Sequence, residues 1–246
     1  MNRVLLLFLT ITLIFFAQVK CARETRLTGD LQAKPGQFPY QVSFRNHVNK
    51  HICGGSILNS KWILTAASSL DESQPENIKI VVGSTLLDEG GIEYKLKQIR
   101  LHPEFDNVTL ENDIALVETI NEIEFGEFVQ PIKLVDQKEL FGEVVLSGWG
   151  RVSTNGNIPN NLMYLITEIF PHEKCALKIT VNKDTLCTFT GAGTGSCFGD
   201  TGSPLVVPGY GQVGVNSFVV GGCGNGYPDG YTSVFYHRDW ILSNIA

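Results

Sequence analysis

The chain has 246 residues, of which 43% are hydrophobic and 18% charged, and its net charge is −6. That apolar content is enough for a sizeable core in one or two domains. No basic tract marks a nucleic-acid surface, and no Cys-x-x-Cys pair or His–Cys cluster marks a zinc site, so neither metal nor cofactor is expected.

Arg3 is followed by an almost unbroken apolar run to Phe16. The run is too short to span a bilayer and sits at the N-terminus, which predicts a secretory signal peptide over 1–21, cut after Cys21. Residues 22–26 then form a short propeptide. Segment 1–26 carries four basic residues and one acidic residue; its removal leaves 15 basic and 24 acidic residues, a net of −9. No later apolar run approaches membrane length, so a soluble, secreted, extracellular protein is expected.

From residue 40 onward, short β-rich runs alternate with Gly, Pro, Asn and Asp breakers. They include Tyr40–Phe44, Ile78–Val82, Ile114–Val117, Val144–Ser147, Met163–Phe170 and Gly214–Val220. Between Ile92 and Leu101 the apolar positions are 92, 94 and 96, then 99 and 101. The slip at Lys97-Gln98 predicts a bulge in a strand. Many short strands at this spacing predict an all-β barrel or sandwich. Only the end differs: Val234, Ile241 and Ile245 share a helical face, with Trp240 beside it, which predicts a helix over 236–245.

Removal of Cys21 leaves five cysteines, Cys53, Cys175, Cys187, Cys197 and Cys223. An odd number in a secreted protein means one unpaired thiol or a bond between chains. Asn107-Val108-Thr109 is an N-glycosylation sequon in a predicted loop, which makes Asn107 a candidate glycoprotein site.

Several stretches carry a family resemblance. Gly199-Asp200-Thr201-Gly202-Ser203-Pro204 resembles the nucleophile loop of the chymotrypsin-like serine proteases, which read Gly-Asp-Ser-Gly-Gly-Pro. Ala66-Ala67-Ser68-Ser69 resembles that family's Ala-Ala-His-Cys. Further markers in the family's order are Pro39-Tyr40-Gln41-Val42-Ser43, Cys53-Gly54-Gly55, Asn112-Asp113-Ile114-Ala115-Leu116, Ser147-Gly148-Trp149-Gly150 and Gly226-Tyr227-Pro228-Asp229. The resemblance covers almost all of 27–246, and its texture is nearest to secreted arthropod chymotrypsin-like enzymes.

The resemblance implies two six-stranded antiparallel β-barrels with a C-terminal helix. The first barrel is expected over about 27–121, a connection over about 122–142, the second barrel over about 143–235 and the helix over about 236–245. In the family, a serine attacks the peptide carbonyl, an imidazole takes its proton and a buried aspartate orients the imidazole. Asp113 matches the aspartate. Ser68 stands at the imidazole position and Thr201 at the serine position. A hydroxyl is a very weak base, and losing one member of such a triad costs about 10⁴–10⁶-fold. A threonine nucleophile needs an activating base. Without an imidazole, Asp113 is expected to be a buried carboxylate held by backbone and hydroxyl donors.

The resemblance also implies retained machinery. The Gly199 and Thr201 N–H groups match the oxyanion hole. Arg26-Leu27 resembles an activation junction for a trypsin-like protease, whose freed Leu27 amine would pair with Asp200; the alternative is an unused, inherited junction. Ser43 and His51 match residues that hold that aspartate in zymogens. Gly195 and Asp229 match the base of the specificity pocket and Val219 its wall, although Asp229 also fits a Pro-Asp-Gly turn. The bridges implied are Cys175–Cys187 and Cys197–Cys223, with Cys53 a buried free thiol because Ser69 replaces its partner. Ser203 stands where the family has glycine, so backbone strain is expected there. Two functions follow. The first is a secreted, catalytically inactive homologue, no enzyme, that acts as cofactor, decoy or regulator by binding a protein: a protease, an inhibitor or a substrate-like protein. The alternative is a weak serine-type endopeptidase of chymotrypsin-like specificity.

Overall fold

A computed structural model describes residues 31–70, 75–138 and 142–245. The expected signal peptide and propeptide, with Cys21, Arg26 and Leu27, lie outside the described residues.

Six strands close the first barrel. They are β2 (Gln41–Asn46), β3 (His51–Ile57), β4 (Trp62–Thr65), β5 (Ile78–Val82), β6 (Ile92–Leu101) and β7 (Ala115–Thr119), in the order β2-β3-β4-β7-β6-β5. The residues pointing inward are apolar and mostly β-branched or aromatic, as a half-buried strand requires. Val42, Phe44, Ile57, Ile63, Ile80, Val82 and Val117 form that core. The expected slip in β6 is present: its pairing with β7 shifts register between Leu96 and Gln98. Lys97 and Gln98 both reach the single opposing residue Glu118, as two residues facing one in a bulge must.

The second barrel uses β8 (Glu143–Gly148), β9 (Met163–Phe170), β10 (Thr185–Thr188), β11 (Pro204–Val207), β12 (Gly211–Phe218) and β13 (Asp229–Ser233). These run β9-β10-β13-β12-β11-β8, and β8 pairs again with β9 to close the ring. The short β1 (Leu31–Gln32) adds to the outside of β9. Val144, Leu146, Leu205, Val213 and Tyr231 fill this core. The strand expected over Gly214–Val220 starts three residues earlier and ends at Phe218, because pairing with β13 stops there, opposite Gly230. One short helix, α1 (His172–Ala176), precedes β10.

The terminal helix α2 runs Val234–Ile245, two residues longer at its start than expected. Val234 and Ile241 are buried with Trp62, Leu64 and Leu116 of the first barrel and Val215 of the second. The helix therefore locks both barrels together. The segment carrying Asp113 lies just before β7, where the two barrels meet. Among the described residues, no helix is long and apolar enough to cross a membrane.

Candidate functional site

Asp113 is fully buried. Its Oδ1 accepts the Ser68 N–H at 2.7 Å, and its Oδ2 accepts the hydroxyls of Ser68 at 2.8 Å and Ser217 at 2.5 Å. Burial pushes its pKa up, against the lowering effect of the Ser217 and Ser68 hydrogen bonds. Ser68 sits in a 3₁₀ turn, Ala67–Ser69, that follows β4. Ser69 steadies the turn by donating its hydroxyl to the Ala66 carbonyl at 2.8 Å. Ser68 thus spends its proton on Asp113 and offers no base.

Thr201 is half-buried, and its carbonyl accepts the Gly54 N–H at 2.9 Å. The loop around it is tied by Asp200 N–H to the Cys197 carbonyl, Ser203 N–H to the Asp200 carbonyl and Gly202 N–H to the Asn216 carbonyl. Gly199 has φ +103, a left-handed conformation that glycine adopts without cost. Among the described residues, neither the Gly199 nor the Thr201 N–H donates to a protein acceptor. Unspent backbone donors of this kind are what an anion-stabilising pair requires. No described histidine bonds to Thr201 or Asp113. His51 is the histidine nearest to this loop in its bonding: its Nδ1 accepts from Ser43 Oγ at 2.9 Å and its Nε2 donates to the Gly199 carbonyl at 3.0 Å. Burial lowers its pKa to about 4, which keeps the ring neutral. In this structure the ring is spent on Ser43 and the Gly199 carbonyl; the contact of Ser43 and His51 with Asp200 is an expectation for the zymogen.

Asp200 is fully buried and accepts the Gly150 N–H at 2.7 Å and the Cys197 N–H at 2.9 Å. Burial raises its pKa to about 6 despite these two donors. Ser203 does not carry the expected strain: it is not among the residues with positive φ. Its cost is of another kind, because its hydroxyl is buried with no hydrogen-bond partner among the described residues.

Asp229 is the first residue of β13, not a turn residue, and it is buried. Its Oδ2 accepts the Ser196 N–H at 2.7 Å. A Cβ on Gly195 would lie 2.5 Å from that oxygen, so only glycine leaves room for the carboxylate. Burial raises the Asp229 pKa to about 7; the Ser196 N–H opposes the shift and Asp200 adds to it. Val219 is half-buried just beyond the end of β12. Nearby, Val108, Leu177, Ile179, Phe218, Val220 and Tyr227 line an open groove of about 860 Å³.

The disulfides are Cys175–Cys187 and Cys197–Cys223, and Cys53 is a buried free thiol. Burial raises the Cys53 pKa to about 12, against hydrogen bonds with Ser69 and Thr65. Asn107 is exposed in the loop between β6 and β7. Ser217 and Ser196 were missed in the sequence. Ser217 contacts Asp113 across 104 positions, and no local pattern marks either serine.

The profile of the Trypsin family matches residues 27–241. Chymotrypsin-2 of Vespa crabro is 38% identical over 221 residues, covering 89% of this chain and 99% of that one. Trypsin II-P29 of Gallus gallus is 33% identical over 233 residues, covering 92% and 91%. Among solved structures, neuropsin, a serine protease expressed in the limbic system of mouse brain, superposes with a TM-score of 0.82. It shares 27% identity and covers 88% of this chain and 98% of its own. These relatives overturn the expectation that the chain is no enzyme: all three are named as proteases or by protease names, and each aligns across nearly the whole domain. That expectation rested on a few side chains at the site.

Proposed function

The chain belongs to the trypsin family, and from that premise we propose that it is a secreted serine-type endopeptidase with atypical chemistry and chymotrypsin-like specificity. Residues 27–246 form its protease domain. The signal peptide leaves after residue 21, and a trypsin-like protease cuts after Arg26, so that the Leu27 ammonium pairs with Asp200. The observation that carries the reading is the pair of unspent N–H groups at Gly199 and Thr201, in a chain where Gly195 lies against the buried Asp229 carboxylate.

Thr201 Oγ1 is the nucleophile. It forms a bond to the peptide carbonyl carbon, and the two N–H groups receive the charge that grows on the carbonyl oxygen. With no imidazole, the hydroxyl proton passes to water, and water protonates the departing amine as the C–N bond breaks. Water then hydrolyses the acyl-threonine. Serine proteases stripped of their triad keep about 10³–10⁴-fold acceleration over water from the oxyanion hole and binding alone, so attack by Thr201 is expected as turnover above that background. Val219 narrows the pocket entrance, and Asp229 sets the charge at its base. The test is prolonged incubation of the chain cut after Arg26 with an unstructured protein, with products read by mass spectrometry. Slow cleavage whose rate falls in Thr201→Ala to that background supports the reading; equal rates from both chains refute it.

One observation favours a second reading of the same cleft. Both Asp113 oxygens are occupied by Ser68 and Ser217, so the carboxylate orients no base, and the cleft is better equipped to hold a polypeptide than to cut it. Binding is then the main output, with a protease, inhibitor or substrate-like protein as partner.

A further inference from the structure

The turn that delivers Asp113 holds two non-glycine residues in the left-handed region, Leu110 and Asn112, each with φ 56. Such conformations persist only where the surroundings over-determine them. Asn112 is held from three sides. Its Nδ2 donates to the Glu104 carbonyl at 2.9 Å, its carbonyl accepts the Ile114 N–H at 2.8 Å, and its N–H donates to Asp184 Oδ2 at 2.9 Å. The first two ties are local to the loop. The third crosses to the second barrel, where Asp184 precedes β10.

Asp184 is 2% exposed, and its Oδ1 has no hydrogen-bond partner among the described residues. Its Oδ2 also accepts from His237 Nε2 at 3.1 Å. His237 is on α2 and 3% exposed, and its ring packs against His102 at 5.0 Å and Tyr236 at 5.1 Å. Burial pushes the Asp184 pKa up, but the His237 hydrogen bond and the Asn112 N–H outweigh it and bring it below the ordinary range. A buried carboxylate with so few donors depends on each of them.

We propose that Asp184 and His237 are positioning residues for Asp113: the buried pair pins Asn112 in its left-handed form and so sets where the Asp113 carboxylate meets Ser68. Helix α2 is thereby coupled to the floor of the cleft. The importance of the pair for peptide hydrolysis rests on the function proposed above; the geometric coupling does not.

The test is amide hydrogen exchange at Asn112 and Ser68 in the secreted chain, where the Ser68 N–H reports on Asp113 Oδ1. His237→Phe keeps a ring and removes the donor; His237→Gln keeps a donor. Exchange at both amides should rise at least about tenfold in His237→Phe, as expected for loss of a hydrogen bond to a charged group, and return to near the parent rate in His237→Gln. Unchanged exchange at Ser68 in His237→Phe, or equal exchange in the two variants, overturns the proposal. Should His237→Phe fail to fold, Asp184→Asn makes the same measurement with the charge removed: faster exchange at both amides supports the coupling, and unchanged exchange overturns it. No substrate is involved, so this result stands apart from whether the cleft hydrolyses anything.

Discussion

Replacing Asp229 by Asn should stabilise the protein in a pH-dependent way. In the native state, burial holds the Asp229 pKa near 7, against 3.8 when unperturbed. Between pH 4 and 7 the native chain therefore keeps a proton that the unfolded chain has released. Stability falls as pH rises through that window and changes no further above it. The gap of about three units at 1.36 kcal/mol each gives a loss of about 4 kcal/mol at pH 8. Asp229→Asn escapes this loss, and its amide oxygen can still accept the Ser196 N–H. Urea unfolding of both proteins is the assay, at about pH 4.5, near the bottom of that window, and about pH 8, above it. With a denaturant slope of about 2 kcal/mol/M, the variant's midpoint should exceed the parent's by about 2 M at pH 8 and by little at the acid end. Asp200 contributes to the Asp229 shift, so cleavage after Arg26, by supplying a cation to Asp200, should reduce the difference. An equal midpoint difference at both pH values would show that Asp229 is not a buried acid and refute the reasoning.

The same ionisation should move substrate preference. Above pH 7 a charged Asp229 favours a basic side chain in the pocket, and below it the neutral acid favours an apolar one; the ratio of cleavage at Lys to cleavage at Leu should rise with pH, and a flat ratio places Asp229 outside the pocket. Ser69→Cys should bond to Cys53, because the Ser69 side chain is close enough to that thiol to influence its pKa. The 16-residue separation predicts a gain of about 3 kcal/mol, and thiol titration of the denatured, unreduced mature chain should fall from one to none. Ser203→Gly removes a buried hydroxyl that has no partner among the described residues, so it should leave stability unchanged or raise it by about 1 kcal/mol in thermal unfolding; a clear loss would reveal a partner.

Contiguous stretches were the legible part of this chain. The bulge at Lys97-Gln98 broke a two-residue alternation that can be counted, and the barrels followed from short strands and a family resemblance along the whole domain. Asp113, Ser68 and Thr201 each lie inside a short motif, so their positions were readable one by one. What joins them was not. Ser217 reaches Asp113, and His51 reaches the Gly199 carbonyl, across separations that no local pattern encodes. The backbone at Ser203 also depends on its surroundings, so a glycine in relatives did not imply positive φ here. The expectation of no enzyme failed for a related reason: it weighed three side chains, whereas membership of a protease family is written across the domain.

The most direct measurement is hydrolysis of one peptide ester by four proteins cut after Arg26: the parent, Thr201→Ala, Thr201→Ser and Ser68→His/Thr201→Ser. If Thr201 is the nucleophile of an endopeptidase cleft that lacks only its base, the parent is slow but measurable and Thr201→Ala falls to the background that the oxyanion hole and binding alone support. Thr201→Ser alone then gains little, while the double variant rises by orders of magnitude, since nucleophile and base act as a unit. A parent rate equal to that of Thr201→Ala, with no gain in the double variant, would contradict the account.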